Sequence, residues 1–313
     1  MTHPPAEGNE NSRSPTSCTP LANAISLYAM TTRHDVHLLP RPEGRLAYTV
    51  AGTGPLVVAV PGMGDLRSTH RDLVPPLVEA GYRVAVMDLR GHGDSDTTFR
   101  THGDVATGQD LLALVEHLGG PAVLVGNSMG AGAVAWAAAE APDAVAGLVL
   151  LGPFLRDPAT GAAKAAASRL LYRVALARPW GAAAWAGFYS TLTKGRKASW
   201  HAEHVAAIRA SMREPGRLRS FRDLALALTH APVEARLPEV DAPAIAFMGS
   251  LDPDFSDPGA ELAWIQEAVG AQGHLVPGVG HYPQHQAPDV AVPATLTFLA
   301  GLRTGAQGWT TRG

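Results

Sequence analysis

Cysteine is almost missing from this chain: its 313 residues include one, Cys18. No intrachain disulfide can form, and no cysteine-based metal cluster can assemble. Long apolar runs are missing too. No stretch approaches the roughly 20 residues that a membrane-spanning helix needs, so none is expected. Charge of one sign is not in excess, with 25 Lys plus Arg against 28 Asp plus Glu and a formal net charge of -3. Without a strong positive field, nucleic acid is not an expected partner. The thirteen histidines form neither a His-x-His nor a His-Glu-x-x-His array, which argues against a metal hydrolase. The glycines spell neither a phosphate loop nor a dinucleotide fingerprint, so no cofactor is expected. Apolar material is plentiful: 46% of residues are hydrophobic and 17% charged, enough for a substantial core.

Residues 1–30, rich in Pro, Ser, Thr and Asn, read as a disordered extension, and either Met1 or Met30 can be the initiator. Residues 21–30 are mildly apolar, but Glu7 and Glu10 precede them and the basic stretch of a secretory leader is weak. With a lone cysteine, this favours a cytoplasmic setting. From residue 34 a regular pattern begins. Strands are expected at 36–39, 46–50, 56–60, 83–87, 122–125 and 145–151, with helices at 73–80, 104–118 and 129–141. The run Leu56-Val57-Val58-Ala59-Val60 has no polar alternation, as suits a strand buried on both faces. Strand following helix in this rhythm argues a parallel sheet with helices on both faces.

The rhythm stops after Pro153. Residues 154–235 lack buried-strand runs, show helical stretches at 164–177 and 202–213, and hold eight of the nineteen Phe, Trp and Tyr residues. A helical insert over the active edge of the sheet explains both facts, and a subdomain with its own small core is the simpler alternative. Strand and helix signals return at 244–248, 260–269, 272–276 and 290–302. The expected organisation is therefore an α/β core, residues 31–153 and 236–313, interrupted by a helical unit at 154–235.

Gly126-Asn127-Ser128-Met129-Gly130 lies between an expected strand and an expected helix. In that setting Gly-x-Ser-x-Gly makes a sharp turn that lifts the serine above the sheet beside a helix N-terminus. Glycine is needed on either side because a Cβ would crowd the turn. Ser128 is the expected nucleophile. An oxyanion needs backbone donors, and the Met129 N–H is one. The other is expected from Pro61-Gly62-Met63-Gly64-Asp65, with Met63 N–H as the candidate and Gly64 as its competitor. The Met63 and Met129 side chains would then form apolar walls.

A serine hydroxyl needs a base, and the base needs an orienting acid. His281, on a loop after the last strand signal, is the expected base, with His285 its nearest rival. Asp252, just past the strand at 244–248, is the expected acid, with Asp254 and Asp257 as alternatives. All three expected residues fall on loops at one sheet edge, in the order serine, aspartate, histidine. The segment Asp88-Leu89-Arg90-Gly91-His92-Gly93-Asp94-Ser95 is read as structural, with Asp88 and Arg90 able to pair and fix the loop.

Over residues 34–300 the chain resembles the α/β-hydrolase superfamily, through residues 61–65, 88–95, 126–130, 249–252 and 280–281. The resemblance implies the α/β-hydrolase fold, with a mostly parallel central sheet and a helical cap inserted between the sixth and seventh strands, where residues 154–235 lie. The family's oxyanion loop usually begins His-Gly, and here Pro61 replaces the histidine. Haloalkane dehalogenases and epoxide hydrolases of this fold use an aspartate nucleophile where this chain has Ser128. The expected activity is that of a capped, carboxylesterase-like serine hydrolase acting on a small, largely apolar acyl substrate and water. Carbon–carbon bond hydrolases, lactonases and thioesterases share the same machinery, and the fold also serves as a small-molecule receptor. Trp180, Trp185, Phe188 and Tyr189 in the insert are the expected substrate-contacting aromatics, unless they form its core.

Overall fold

The computed structural model describes residues 1–2, 36–158, 162–304 and 309. Cys18, the body of the expected N-terminal extension and Met30 lie outside them. An eight-stranded sheet forms the centre, in the order β1-β2-β4-β3-β5-β6-β7-β8. Its strands are β1 (His37–Arg41), β2 (Gly44–Ala51), β3 (Leu56–Val60), β4 (Arg83–Met87), β5 (Ala122–Asn127), β6 (Val145–Leu151), β7 (Ala244–Gly249) and β8 (Gln272–Val276). β1 and β2 pair antiparallel, as do β2 and β4, and every pairing from β4 through β8 is parallel. The expected doubly covered, mostly parallel sheet is the one observed.

The unbroken apolar runs follow from burial on both faces. Along β3, Leu56, Val58 and Val60 enter one core cluster while Val57 and Ala59 enter another. The first cluster is closed by α2 (Asp104–His117), α3 (Met129–Glu140) and α9 (Pro258–Val269), through residues such as Leu111, Val134 and Ile265. The second is closed by α1 (Val74–Glu79) and by α11 (Pro288–Thr304), which the short α10 (Pro283–Gln286) precedes, through Leu77, Phe298 and Leu299. Each such side chain contributes about 1.5–3 kcal/mol by leaving water.

Between β6 and β7 run α4 (Ala162–Ala175), α5 (Gly181–Leu192), α6 (His201–Ser211), α7 (Arg217–Ala227) and the short α8 (Ala231–Glu234). These helices have a core of their own, in which Leu176, Trp185, Tyr189, Ile208, Met212 and Phe221 are buried. They also rest on the loops at the C-terminal edge of the sheet. Met63 and Leu66 pack against their core, Tyr282 is part of it, and Arg196 N–H donates to Gly278 O at 3.0 Å. Among the described residues no helix is long and apolar enough to cross a membrane.

Candidate active site

The strand-to-helix turn that carries Ser128 is strained. Ser128 has φ 57° and ψ -126°, and it is the non-glycine residue with positive φ among those described. Such backbone costs about 1–3 kcal/mol and persists where surrounding structure imposes it. Here Ser128 N–H donates to Leu151 O at 2.9 Å, and Ser128 O accepts from Ala131 N–H at 2.9 Å. A Cβ on Gly126 would run into Gly130 O, and one on Gly62 would sit 2.7 Å from Ser128 Cβ. The loop after β3 therefore lies directly against the serine, which requires glycine at both places. Met129 is the first residue of α3, so its N–H is one that the helix leaves open toward Ser128.

His281 and Asp252 meet in a buried pair. His281 Nδ1 lies 2.7 Å from Asp252 Oδ2, with the side chains 1% and 0% exposed. The second Asp252 oxygen accepts from Asp254 N–H at 3.1 Å. Asp254 also places its carboxylate 3.6 Å from His281 Nδ1. Burial by itself would lower the basicity of His281. The Asp252 charge and hydrogen bond, with Asp254 and Asp65 further off, outweigh that and raise its pKa to about 9. Among the described residues no hydrogen bond occupies His281 Nε2.

Three links tie this pair to the serine turn. Asn127 Nδ2 donates both to Leu151 O, at 2.8 Å, and to His281 O, at 3.3 Å. Phe154 N–H donates to Ser128 O at 3.4 Å, while its ring lies 5.8 Å from that of His281. A Cβ on Gly152, beside the serine turn, would come 3.2 Å from His281 Nδ1. Of the rivals, Asp254 stays close to the His281 ring, whereas His285 and Asp257 stand elsewhere. His285 is stacked on Tyr282 at 4.9 Å and burial pushes its pKa down to about 3. Asp257 caps α9 by accepting from Ala260 N–H at 2.9 Å.

The loop 61–65 is held from both sides. Its Gly64 N–H donates to His92 Nε2 at 3.1 Å, so the competitor to Met63 already has an acceptor. His92 Nδ1 faces Arg90 O at 3.0 Å, and burial lowers its pKa to about 4, which keeps the ring neutral and able to accept. From the helical side, Trp185 Nε1 donates to Gly64 O at 2.8 Å. Asp65, fully buried, bonds His204 Nε2 at 2.7 Å and accepts from Tyr189 O–H at 3.2 Å. Burial alone would raise its pKa, yet the His204 ring and the Leu66 N–H outweigh this and lower it. The other end of α5 holds the histidine loop, where His281 N–H donates to Leu192 O at 2.9 Å. The sequence offered no sign of His204, which lies 139 residues from Asp65. A histidine flanked by two glycines, as in Gly91-His92-Gly93, was the available hint for His92.

Other expected residues are placed differently. Asp88 and Arg90 do not pair with each other. Asp88 accepts from Arg67 and from Asp94 N–H, whereas Arg90 makes a two-pronged contact with Asp110 at 2.6 and 2.8 Å. Each is claimed by a group from another element. The Met129 side chain is 2% exposed and belongs to the sheet-side core, so it forms no open wall. Trp185 and Tyr189 lie on the inward stripe of α5, four residues apart, and are enclosed. Trp180 and Phe188 stand outside, 50% and 43% exposed. Phe154 and Phe255, whose rings are 4.8 Å apart beside His281, are apolar neighbours of the site.

Asp252, Asp254 and His281 also offer three metal-type ligand atoms within 4.8 Å of one another. The donor set does not suit a resident ion, because the imidazole nitrogen concerned is the one Asp252 holds. His281 Nε2 is left open at the sheet edge that also carries the strained Ser128, and among the described residues no hydrogen bond joins the two side chains.

The model of the alpha/beta hydrolase family matches residues 57–294, from β3 to within α11. This chain belongs to that family. A hydrolase of Comamonas testosteroni, named for 2-hydroxy-6-oxononadienedioate and 2-hydroxy-6-oxononatrienedioate, is 27% identical over 290 residues, covering 85% of this chain and 91% of the relative. In structure, a thermophilic esterase from Thermogutta terrifontis superposes with a TM-score of 0.70 at 24% identity, over 86% of this chain and all of the esterase (100%). A bromoperoxidase from Bacillus anthracis gives 0.71 at 22% identity, over 85% and 100%. The structural likenesses show a shared fold.

Proposed function

We propose that this α/β hydrolase is a serine hydrolase that cleaves a carboxylic ester of a small, largely apolar substrate through an acyl-enzyme. The observation that carries the reading is the strained Ser128 at the sheet edge where the buried Asp252–His281 pair leaves an imidazole nitrogen open. His281 Nε2 takes the Ser128 proton as Oγ attacks the ester carbonyl. Asp252 holds the ring and stabilises its charged form. The N–H groups of Met129 and Met63 receive the oxyanion, with Gly64 N–H committed to His92. His281 returns the proton to the departing alcohol, and water repeats the sequence to free the acid. No metal or cofactor takes part in this scheme.

Phe154, Phe255 and Met63 are the apolar side chains proposed to receive the substrate. We read the helices of residues 154–235 as a cap, with the core at 31–153 and 236–313. The lone cysteine supports a cytoplasmic setting. A second reading, carbon–carbon bond hydrolysis with the same triad, draws support from the Comamonas relative. An anionic substrate would call for a free cation near the site. Arg156, a candidate for that task, is engaged by Glu261 at 2.5 and 3.2 Å and lies over Trp264 at 3.7 Å, which favours the neutral ester.

The test is a panel of esters, thioesters, lactones and β-diketones offered to the wild type and to Ser128→Ala. Acid plus alcohol, formed by the wild type and lost in the variant, supports the ester reading. Ketone plus acid from the diketones, with esters untouched, supports the second. Tight binding of a small molecule without turnover would contradict both.

A further inference from the structure

The helical insert carries an unusual charge pattern. From residue 158 to residue 202 there are seven Lys and Arg and no Asp or Glu, in a chain whose net charge is -3. The outer surface there is also apolar. On α4, Leu170, Leu171 and Val174 are 62%, 65% and 55% exposed, and at spacings of one, three and four they form one stripe. Arg169 and Arg173, four residues apart and exposed, run along the edge of that stripe. The opposite side of α4 is anchored, with Leu176 just beyond its end in the helical core and Tyr172 packed against it. Trp180 Nε1 donates to Val174 O at 2.8 Å, which lays the indole beside the stripe, and exposed Arg178 precedes it. α5 has no charged residue, and its outward positions continue through Ala184, Gly187 and Phe188. Arg169, Arg173 and Arg178 have no ion pair with any described residue.

We propose that this face, made of α4 and the outer side of α5, docks the protein on an anionic lipid surface. Leu170, Leu171, Val174, Trp180 and Phe188 would enter the headgroup–acyl boundary, and the three arginines would lie at the phosphate level. Charge selects this occupant. An uncharged partner leaves the arginines unanswered, and a second copy would set like charges against each other. Exposed Leu, Trp and Phe bordered by Arg are the side chains that lie stably at such an interface. Docking there has a consequence within the fold, because the inner side of α5 holds Gly64 O through Trp185, Asp65 through Tyr189 and His281 N–H through Leu192 O. The helix on the lipid is the helix that fixes both loops of the candidate site. The docking itself stands whether or not Ser128 is a nucleophile.

The test is flotation of the full chain with vesicles of phosphatidylcholine alone and of phosphatidylcholine mixed with phosphatidylglycerol. Binding is expected to the mixed vesicles, to weaken in high salt, and to fall on the order of 100-fold in Arg169→Glu/Arg173→Glu/Arg178→Glu. Leu170→Ser/Leu171→Ser should also weaken it. Both variants alter exposed positions, and unchanged circular dichroism will confirm their folding. In the otherwise unchanged chain, the tryptophan emission should move to shorter wavelength on mixed vesicles, and Trp180→Phe should remove most of that movement. The proposal is overturned if neither vesicle binds, if the charge-reversed variant binds as well as the wild type, or if the face is buried in a lipid-free dimer that these substitutions dissociate.

Discussion

Two of the buried histidine–aspartate pairs have the same 2.7 Å separation, yet they differ in what they leave unpartnered. Asp65–His204 is closed at both ends. The second imidazole nitrogen of His204 meets Ser68 Oγ at 3.1 Å, and the second Asp65 oxygen receives Tyr189 O–H. Every polar atom has a partner, so the pair acts as a clasp between α6 and the loop after β3. Asp252–His281 is closed at one end only: Asp252 is satisfied by His281 and Asp254 N–H, while His281 Nε2 is open. A histidine–aspartate contact is therefore no mark of catalysis by itself. The open nitrogen distinguishes the two, and it is the one to which the proposed function gives the Ser128 proton.

The contrast predicts a hierarchy of effects. Ser128→Ala removes the proposed nucleophile and should lower kcat on the order of 10⁴-fold or more, measured as steady-state turnover of a short acyl ester. Asp252→Asn should cost on the order of 10³ to 10⁴ in kcat with the fold intact, because the ring loses its orienting charge. Asp65→Ala strikes the clasp, leaving His204 and Tyr189 buried without their acceptor. It should lower unfolding free energy by about 1–3 kcal/mol in denaturant titration. Its kcat should fall less than that of Asp252→Asn, on the order of 10- to 100-fold, through a displaced oxyanion loop. A larger kinetic loss at Asp65 than at Asp252 would erase the distinction.

The smallest expected effect concerns pH. As the proposed base, His281 must be neutral to accept a proton, so kcat/KM should rise as pH climbs through its pKa of about 9. The Asp254 carboxylate contributes to that elevation, and Asp254→Asn should move the rising limb to lower pH. A limb that stays in place would show that Asp252 alone sets the basicity.

How much of this was legible in the sequence follows from the range of the interactions. Leu56–Val60, Arg83–Met87, Val145–Leu151 and Gln272–Val276 are strands at the limits expected, since short runs between turn residues, mostly apolar in the first three, carry their own signal. The Gly126–Gly130 turn was equally local. α5 was not anticipated as a helix, because the segment Gly-Ala-Ala-Ala-Trp-Ala-Gly has little polar contrast to reveal its period. The partners of Asp65, Gly64, Asp88 and Arg90 were hidden for another reason. His204, Trp185, Arg67 and Asp110 come from distant elements, so no local window holds both members of these pairs.

The most direct test of the central claim is covalent labelling by an organophosphonate ester, with the adduct located by peptide mass spectrometry in the wild type and in His281→Ala. A proton-accepting His281 beside a nucleophilic Ser128 predicts a single adduct on Ser128 that forms at a greatly reduced rate in the variant. An adduct on another residue, or labelling of Ser128 at the wild-type rate without the imidazole, would contradict it.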